Sequence, residues 1–304
     1  MKINLLVFLL IVSCIYLFTA CNKEKITQLP PDPITTLSAD SNYLSKIYFL
    51  RGNGSNIDTS TNIFIYDNLK RVTQYLETYT NNTNGVITKH YDTSKFFYTG
   101  SETLPNRIIK VFKNPIGIPD TLTNYLSYSN NRIIRDSAVS GNINSGTKIS
   151  TFTYVGIKTI IYSSITYLNL PSNNYTIKDT LTQDANSNII AKNSFIEYGI
   201  NSPNNSSSIT TYTYGNNPSP LINLNICNKL GKFEISDHFL YQGSKNNLTS
   251  LTVSSYSNGI QVNVIVTDNM DTYVFKTNGY PYSLNFQFPL NPQTRKLIYK
   301  YVSL

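Results

Sequence analysis

One pattern recurs along the chain and limits what it can fold into. An aromatic residue closes an alternating stretch, a polar turn rich in Asn, Gly, Asp or Pro follows, and an aliphatic stretch resumes, often behind Lys or Arg. FIYDNLKRVTQY (64–75) is one copy; LSYSNNRIIRD, FTYVGIKTIIYSS and LTQDANSNIIAKNSF are others. Anchored on the residue before each turn, the copies fall at Tyr66, Tyr98, Tyr128, Tyr154, Gln183, Tyr214, Tyr241 and Phe275, at intervals of 32, 30, 26, 29, 31, 27 and 34. Such an interval suits one β-hairpin and its return connection, so the chain reads as a repeat of supersecondary structure. The Leu126/Tyr128 alternation, and Thr211/Thr213 against Tyr212/Tyr214, have the period of two that gives a strand two faces. The expected fold is all-β: a long antiparallel meander of about eight hairpins. Open twisted sheets rarely exceed roughly ten strands without curling, splitting or closing, so the sheet is expected to be curled or wrapped.

Composition agrees with strands and polar turns. Only 14% of residues are charged, while Tyr numbers 24 and Phe 14, and aromatic residues suit a pleated, half-buried surface. An outer-membrane barrel needs an outward apolar band on its strands. Stretches such as TQYLETYT and KISTFTYV are polar on both faces, which favours a curled meander over a 16-stranded transmembrane barrel. The formal charge is +8, but the basic residues are scattered, mostly just after turns, without the clustered footprint of a nucleic-acid partner.

The amino terminus reads as an address. Lys2, an uncharged apolar run from Ile3 to Phe18, and the small pair Thr19-Ala20 before Cys21 have the order of an export signal. Phe18-Thr19-Ala20-Cys21 resembles the bacterial lipobox, with Phe18 in place of the usual Leu. That resemblance implies cleavage after residue 20, lipid on the Cys21 thiol and attachment to a membrane. Two or more acyl chains anchor stably where one holds only reversibly. Residues 21–42 then form the lipidated cysteine and a tether whose Pro30, Pro31 and Pro33 favour extended geometry, and 43–304 the repetitive β domain. With Cys21 lipidated, Cys227 has no cysteine left to pair with.

Tyr66-Asp67-x-x-Lys70-Arg71-Val72 resembles the YD repeat, Tyr-Asp-x-x-Gly-Arg-aliphatic, of large bacterial Rhs and teneurin-like shells. Gln183-Asp184-x-x-Ser187-Asn188-Ile189 fits the same frame; both copies lack its Gly. Phe275-x-x-x-Gly279-Tyr280-Pro281 keeps the Gly and loses the Asp. Asp67, Asp184 and Gly279 are therefore expected to form turns, Asp by bonding backbone amides and Gly by reaching positive φ. Together with the lipobox, the chain is similar to the YD-repeat-like envelope lipoproteins of Bacteroidota. That resemblance implies an envelope address, with the outer membrane the expected site, and transfers no active site.

Reactive chemistry has little to stand on. Asp184-x-Asn186-x-Asn188 imitates the start of a calcium loop, but Ile189 and Phe195 stand where Gly and Glu are required. Asp268 and Asp271 fit a turn better than a glycosidase pair, and His90 and His238 lack metal-ligand spacing. Asp-Ser/Thr-aliphatic triplets at Thr121, Ser137 and Thr180 resemble the Bacteroidota O-glycosylation motif, which would place those residues on exposed turns. The expected function is that of a lipid-anchored, non-enzymatic envelope protein without catalytic residues, metal or cofactor, binding a glycan, a peptide or an envelope component through a Tyr-rich β surface. The alternatives are an assembly scaffold that adds a strand at KLIYKYVSL and, last, a hydrolase acting on glycans.

Overall fold

The computed structural model describes residues 43–53, 56–83, 86–113, 120–141, 146–167, 169, 171–198, 205–221, 244–257, 260–267, 272–288 and 291–303. Cys21, Cys227, His238, Tyr241, Asp268 and Asp271 lie outside them, as does the side chain of His90. Seventeen strands account for nearly all of it: β1 (Tyr43–Asn53), β2 (Asn56–Tyr66), β3 (Val72–Thr83), β4 (Val86–Phe97), β5 (Arg107–Lys113), β6 (Asp120–Ser129), β7 (Arg132–Ser140), β8 (Thr147–Val155), β9 (Lys158–Thr166), β10 (Tyr175–Gln183), β11 (Ile189–Glu197), β12 (Ser206–Pro218), β13 (Asn246–Ser257), β14 (Ile260–Thr267), β15 (Thr272–Phe275), β16 (Pro281–Phe288) and β17 (Asn291–Val302). Their Thr, Tyr, Ile and Val content is that of half-buried pleated surfaces.

The strands make one antiparallel sheet. From β1 to β14 each pairs with the next, β15 with β16 and β16 with β17. β17 then returns to β1, with Tyr43 opposite Val302 and Ile47 opposite Tyr299. The meander is thus wrapped, its first strand beside its last. Every pairing reverses direction, so β14 and β15, at the two ends of this series, run the same way. They share one strand's place between β13 and β16, and β14 also approaches β16. That gives sixteen places. KLIYKYVSL is no free edge, because β17 has β16 on one side and β1 on the other.

Seven of the eight sequence anchors stand at one end of the strands, each before the return into the next strand: Tyr66, Tyr98, Tyr128, Tyr154, Gln183, Tyr214 and Phe275. The place of an eighth hairpin at this end is taken by the meeting of β17 and β1.

Alternation divides the residues between two faces. On the inner face a continuous apolar cluster includes Ile47, Phe64, Val72, Phe96, Ile161, Leu284 and Tyr299, all buried. The next inward layer, away from the turns, is polar, with Asn62, Glu77, Ser94, Ser150, Ser163 and Asp179 buried. The outer face carries Ile65, Lys95, Arg135, Thr151, Thr153, Tyr162 and Lys178, all exposed. The antiparallel meander, curled until its first strand pairs with its last, is the fold expected from the sequence. The outer face is mixed, for Tyr125, Val139, Phe195 and Ile209 are exposed on it beside the charged and Thr residues.

Candidate functional site

The turn end repeats one piece of local chemistry. The Asp67 carboxylate accepts the Leu69 and Arg71 amides at 3.0 and 2.9 Å and Arg71 Nε at 2.8 Å. The Asp184 carboxylate accepts the Asn186 and Asn188 amides, both at 2.8 Å, and Asn188 Nδ2 at 3.0 Å. In both turns the fourth residue after the anchor is left-handed, Lys70 at φ 61 and Ser187 at φ 65. Gly279 holds the same place at φ 81. There the backbone closes alike, with the Gly279 amide donating to Lys276 O and the Lys276 amide to Tyr280 O, both at 2.9 Å. Burial pushes the Asp67 carboxyl up, but the hydrogen bonds and charge of Arg71 outweigh it and hold the group below 3.8. Burial likewise raises Asp184, and the Asn188 and Asn186 donors bring it below the same value.

The aromatic anchors connect one hairpin to the one before. Tyr66, Tyr98, Tyr128, Tyr154 and Tyr214 each donate a hydroxyl to the carbonyl of a residue behind the preceding turn or strand start: Leu44 (2.6 Å), Val72 (2.6 Å), Pro105 (2.7 Å), Ile133 (2.8 Å) and Ile189 (2.7 Å). Tyr301, beside β1, donates to Pro281 O at 3.0 Å and completes the series. The residue just before the acceptor covers the ring in four cases. Arg71 lies over Tyr98 at 4.4 Å and Arg132 over Tyr154 at 4.9 Å, while Tyr43 and Tyr280 meet Tyr66 and Tyr301 edge-on at 5.7 and 5.6 Å. Arg71 also donates to the Gly100 and Glu102 carbonyls of the next turn, at 2.8 and 2.9 Å. Burial raises the phenols of Tyr128, Tyr154, Tyr214 and Tyr301 above 10.0, so they stay protonated donors at neutral pH.

These hydroxyl locks were not read from the sequence, although the signal was there: a Tyr at most anchors, with an acceptor some twenty residues back. They divide the tyrosines into two populations. The anchors point inward and hold the fold. Tyr125 and Tyr162 point outward and are 53% and 49% exposed.

Thr121, Ser137 and Thr180 lie half-buried in β6, β7 and β10, and not on turns; Ser137 and Thr180 are paired on both sides, and Thr121 pairs with Val111 and accepts the Gly141 amide on its other side. The triplet has a strand explanation. Asp120, Asp136 and Asp179 take inner positions, where Asp136 accepts Asn124 Nδ2 at 2.9 Å and Asp179 accepts Ser194 Oγ at 2.5 Å and pairs with Lys192 at 3.5 Å. The hydroxyl residue falls outward and the aliphatic residue inward again. Among the described residues no three His, Cys, Asp or Glu side chains gather as metal ligands.

No protein-family model and no curated protein matches the chain. Among solved structures it is similar to a porin-like protein from Bacteroides vulgatus, with 12% identity, TM-score 0.52, and 86% of this chain and 100% of that one covered. It is also similar to a porin-like protein from Bacteroides uniformis, with 17% identity, TM-score 0.47, and coverage of 85% and 97%. The first likeness shows that the fold is that of a porin-like β structure.

Proposed function

We propose that the chain is a lipid-anchored envelope protein, not an enzyme, whose wrapped sheet stands in water and binds a ligand on its outer face. The observation that carries this reading is the distribution of residues between the two faces. A membrane-spanning barrel places its apolar band outward and its polar residues toward the lumen. Here Ile47, Phe64, Val72 and Phe96 are buried on the inner face, while Lys95, Arg135 and Lys178 are exposed on the outer one. Lys or Arg facing the middle of a bilayer costs about 2–4 kcal/mol, falling to about 0–1 near the interfaces; Lys178 lies mid-strand in β10, and Lys95 and Arg135 lie nearer the turns. Three of them on a Thr-rich face favour water. Membrane attachment then falls to Cys21, through the 21–42 tether that leads to β1.

The test is made on residues 22–304, which lack both signal and lipid site. The chain is expected to be monodisperse without detergent and to give no conductance in planar bilayers. Aggregation relieved only by detergent, or stepwise conductance, refutes the reading. Palmitate labelling of the full chain, abolished by Cys21→Ala, tests the anchor separately.

A further inference from the structure

We infer that a row of residues across the outer face of β7 to β13 is a binding platform for an extended anionic polysaccharide. The inference rests on the reading that this face meets water. Neighbours in register share a face, and the registers place Arg135 opposite Thr151, Thr151 opposite Tyr162, Tyr162 opposite Lys178, Lys178 opposite Phe195, Phe195 opposite Ser207 and Ser207 opposite Tyr256. Tyr162 sits between Ile161 and Ser163, which are 2% and 1% exposed, so its ring points out. Tyr162 and Phe195 are 49% and 43% exposed and Tyr256 half-exposed.

The rings stand on β9, β11 and β13, every second strand. Strands lie about 4.8 Å apart, so the rings repeat at about 10 Å. That is close to the length of one disaccharide in an extended β-linked pyranose chain, where successive sugars turn over and every second one presents the same face. Sugar C–H faces stack on aromatic rings. Lys178 stands between the first two rings and Arg135 lies two strands before the first, both exposed, and the row carries no carboxylate. A chain crossing the strands can thus stack alternate sugars on Tyr162, Phe195 and Tyr256 while intervening acidic sugars meet the cations. A neutral glycan uses only half of the row.

The test uses the purified full-length protein in detergent, titrated with hyaluronan, chondroitin sulfate and unsulfated chondroitin, all β-linked with an acidic sugar at every second place. Cello-oligosaccharide and an oligo-dT of similar length serve as comparisons. At least one acidic polysaccharide is expected to bind, with affinity falling about tenfold in Tyr162→Ala/Phe195→Ala. Lys178→Gln is expected to weaken binding and flatten its salt dependence, and Tyr125→Ala, outward but in another row, to leave it unchanged. Far-ultraviolet dichroism shows that each variant is folded. Binding to none of the three polyanions overturns the inference, as does equal affinity in the double variant. So does equally tight binding of the neutral glucan, or tighter binding of oligo-dT, which also stacks on aromatic platforms. Solubility and conductance of residues 22–304 report on the water-facing reading alone, so the two failures are distinguishable.

Discussion

The turns show how single residues substitute for one another. Asp67 and Asp184 supply acceptors that hold a left-handed residue in place, and Gly279 reaches the same φ without a carboxylate. A non-glycine residue in that region costs about 1–2 kcal/mol, so Ser187→Gly should stabilise the protein by roughly 0.5–1 kcal/mol in urea unfolding, after the entropy of the added Gly is discounted. Asp67→Ala removes the acceptor of two backbone amides and the Arg71 partner and should destabilise by about 1–2 kcal/mol. The pH dependence has a definite sign. Both carboxyls titrate below 3.8 in the folded state, so their contribution is complete above that value and is lost as pH falls through the lower folded one. Acid unfolding curves should show wild type losing stability below about pH 4 more steeply than Asp67→Asn, and parallel curves would refute the assignment. This part was legible in the sequence, because Asp two residues before an exposed amide is local chemistry. The absence of Gly at Lys70 and Ser187 obscured only the backbone conformation.

At the scale of the hairpin, the repeat is held by contacts between units as well as within them. Tyr154 illustrates the arrangement: its hydroxyl reaches Ile133 O at 2.8 Å and Arg132 covers its ring. Removing the hydroxyl leaves a carbonyl without this donor and should cost about 1 kcal/mol. Tyr154→Phe is therefore expected to lower the urea midpoint modestly, while Tyr154→Ala, which also loses the ring and its stacking, should cost about 3–5 kcal/mol. A Tyr154→Phe midpoint equal to wild type would mean that the hydroxyl contributes nothing. Where the anchor is Gln183, the backbone serves instead, its amide donating to Ile157 O at 2.9 Å. The spacing of these aromatics was legible and gave the hairpins, but their partners were not. An acceptor twenty or more residues away has no signature in the turn itself. The same limit applies to Thr121, Ser137 and Thr180, expected on exposed turns and placed by the registers within strands.

Across the whole molecule, the decisive contact is also the most distant in sequence. Ser45 Oγ donates to Lys300 O across 255 residues, and β1 meets β17 from Tyr43–Val302 to Gly52–Thr294. Periodicity demanded a curled sheet but said nothing of which strands would meet, because strand pairing over that distance leaves no local pattern. The basic residues of KLIYKYVSL suited an exposed edge, yet Lys300 stands opposite Lys46 with its ammonium 5.8 Å from the centre of the Tyr282 ring. Closing a contact of such sequence separation also makes folding slow, since the chain between must be ordered first. Deleting residues 291–304 removes β17, uncovers Leu44 and Ile47, and leaves β1 and β16 each with a free edge. The shortened chain is expected to elute from size exclusion as dimers and larger species through edge pairing, and to be cleaved by trypsin after Lys46 in β1 and by chymotrypsin in β16, whose PYSLNFQF has no Lys or Arg, while the middle strands resist. A monomer with wild-type protease resistance would mean that the β1–β17 pairing is dispensable, and that local hairpin contacts alone hold the sixteen places together.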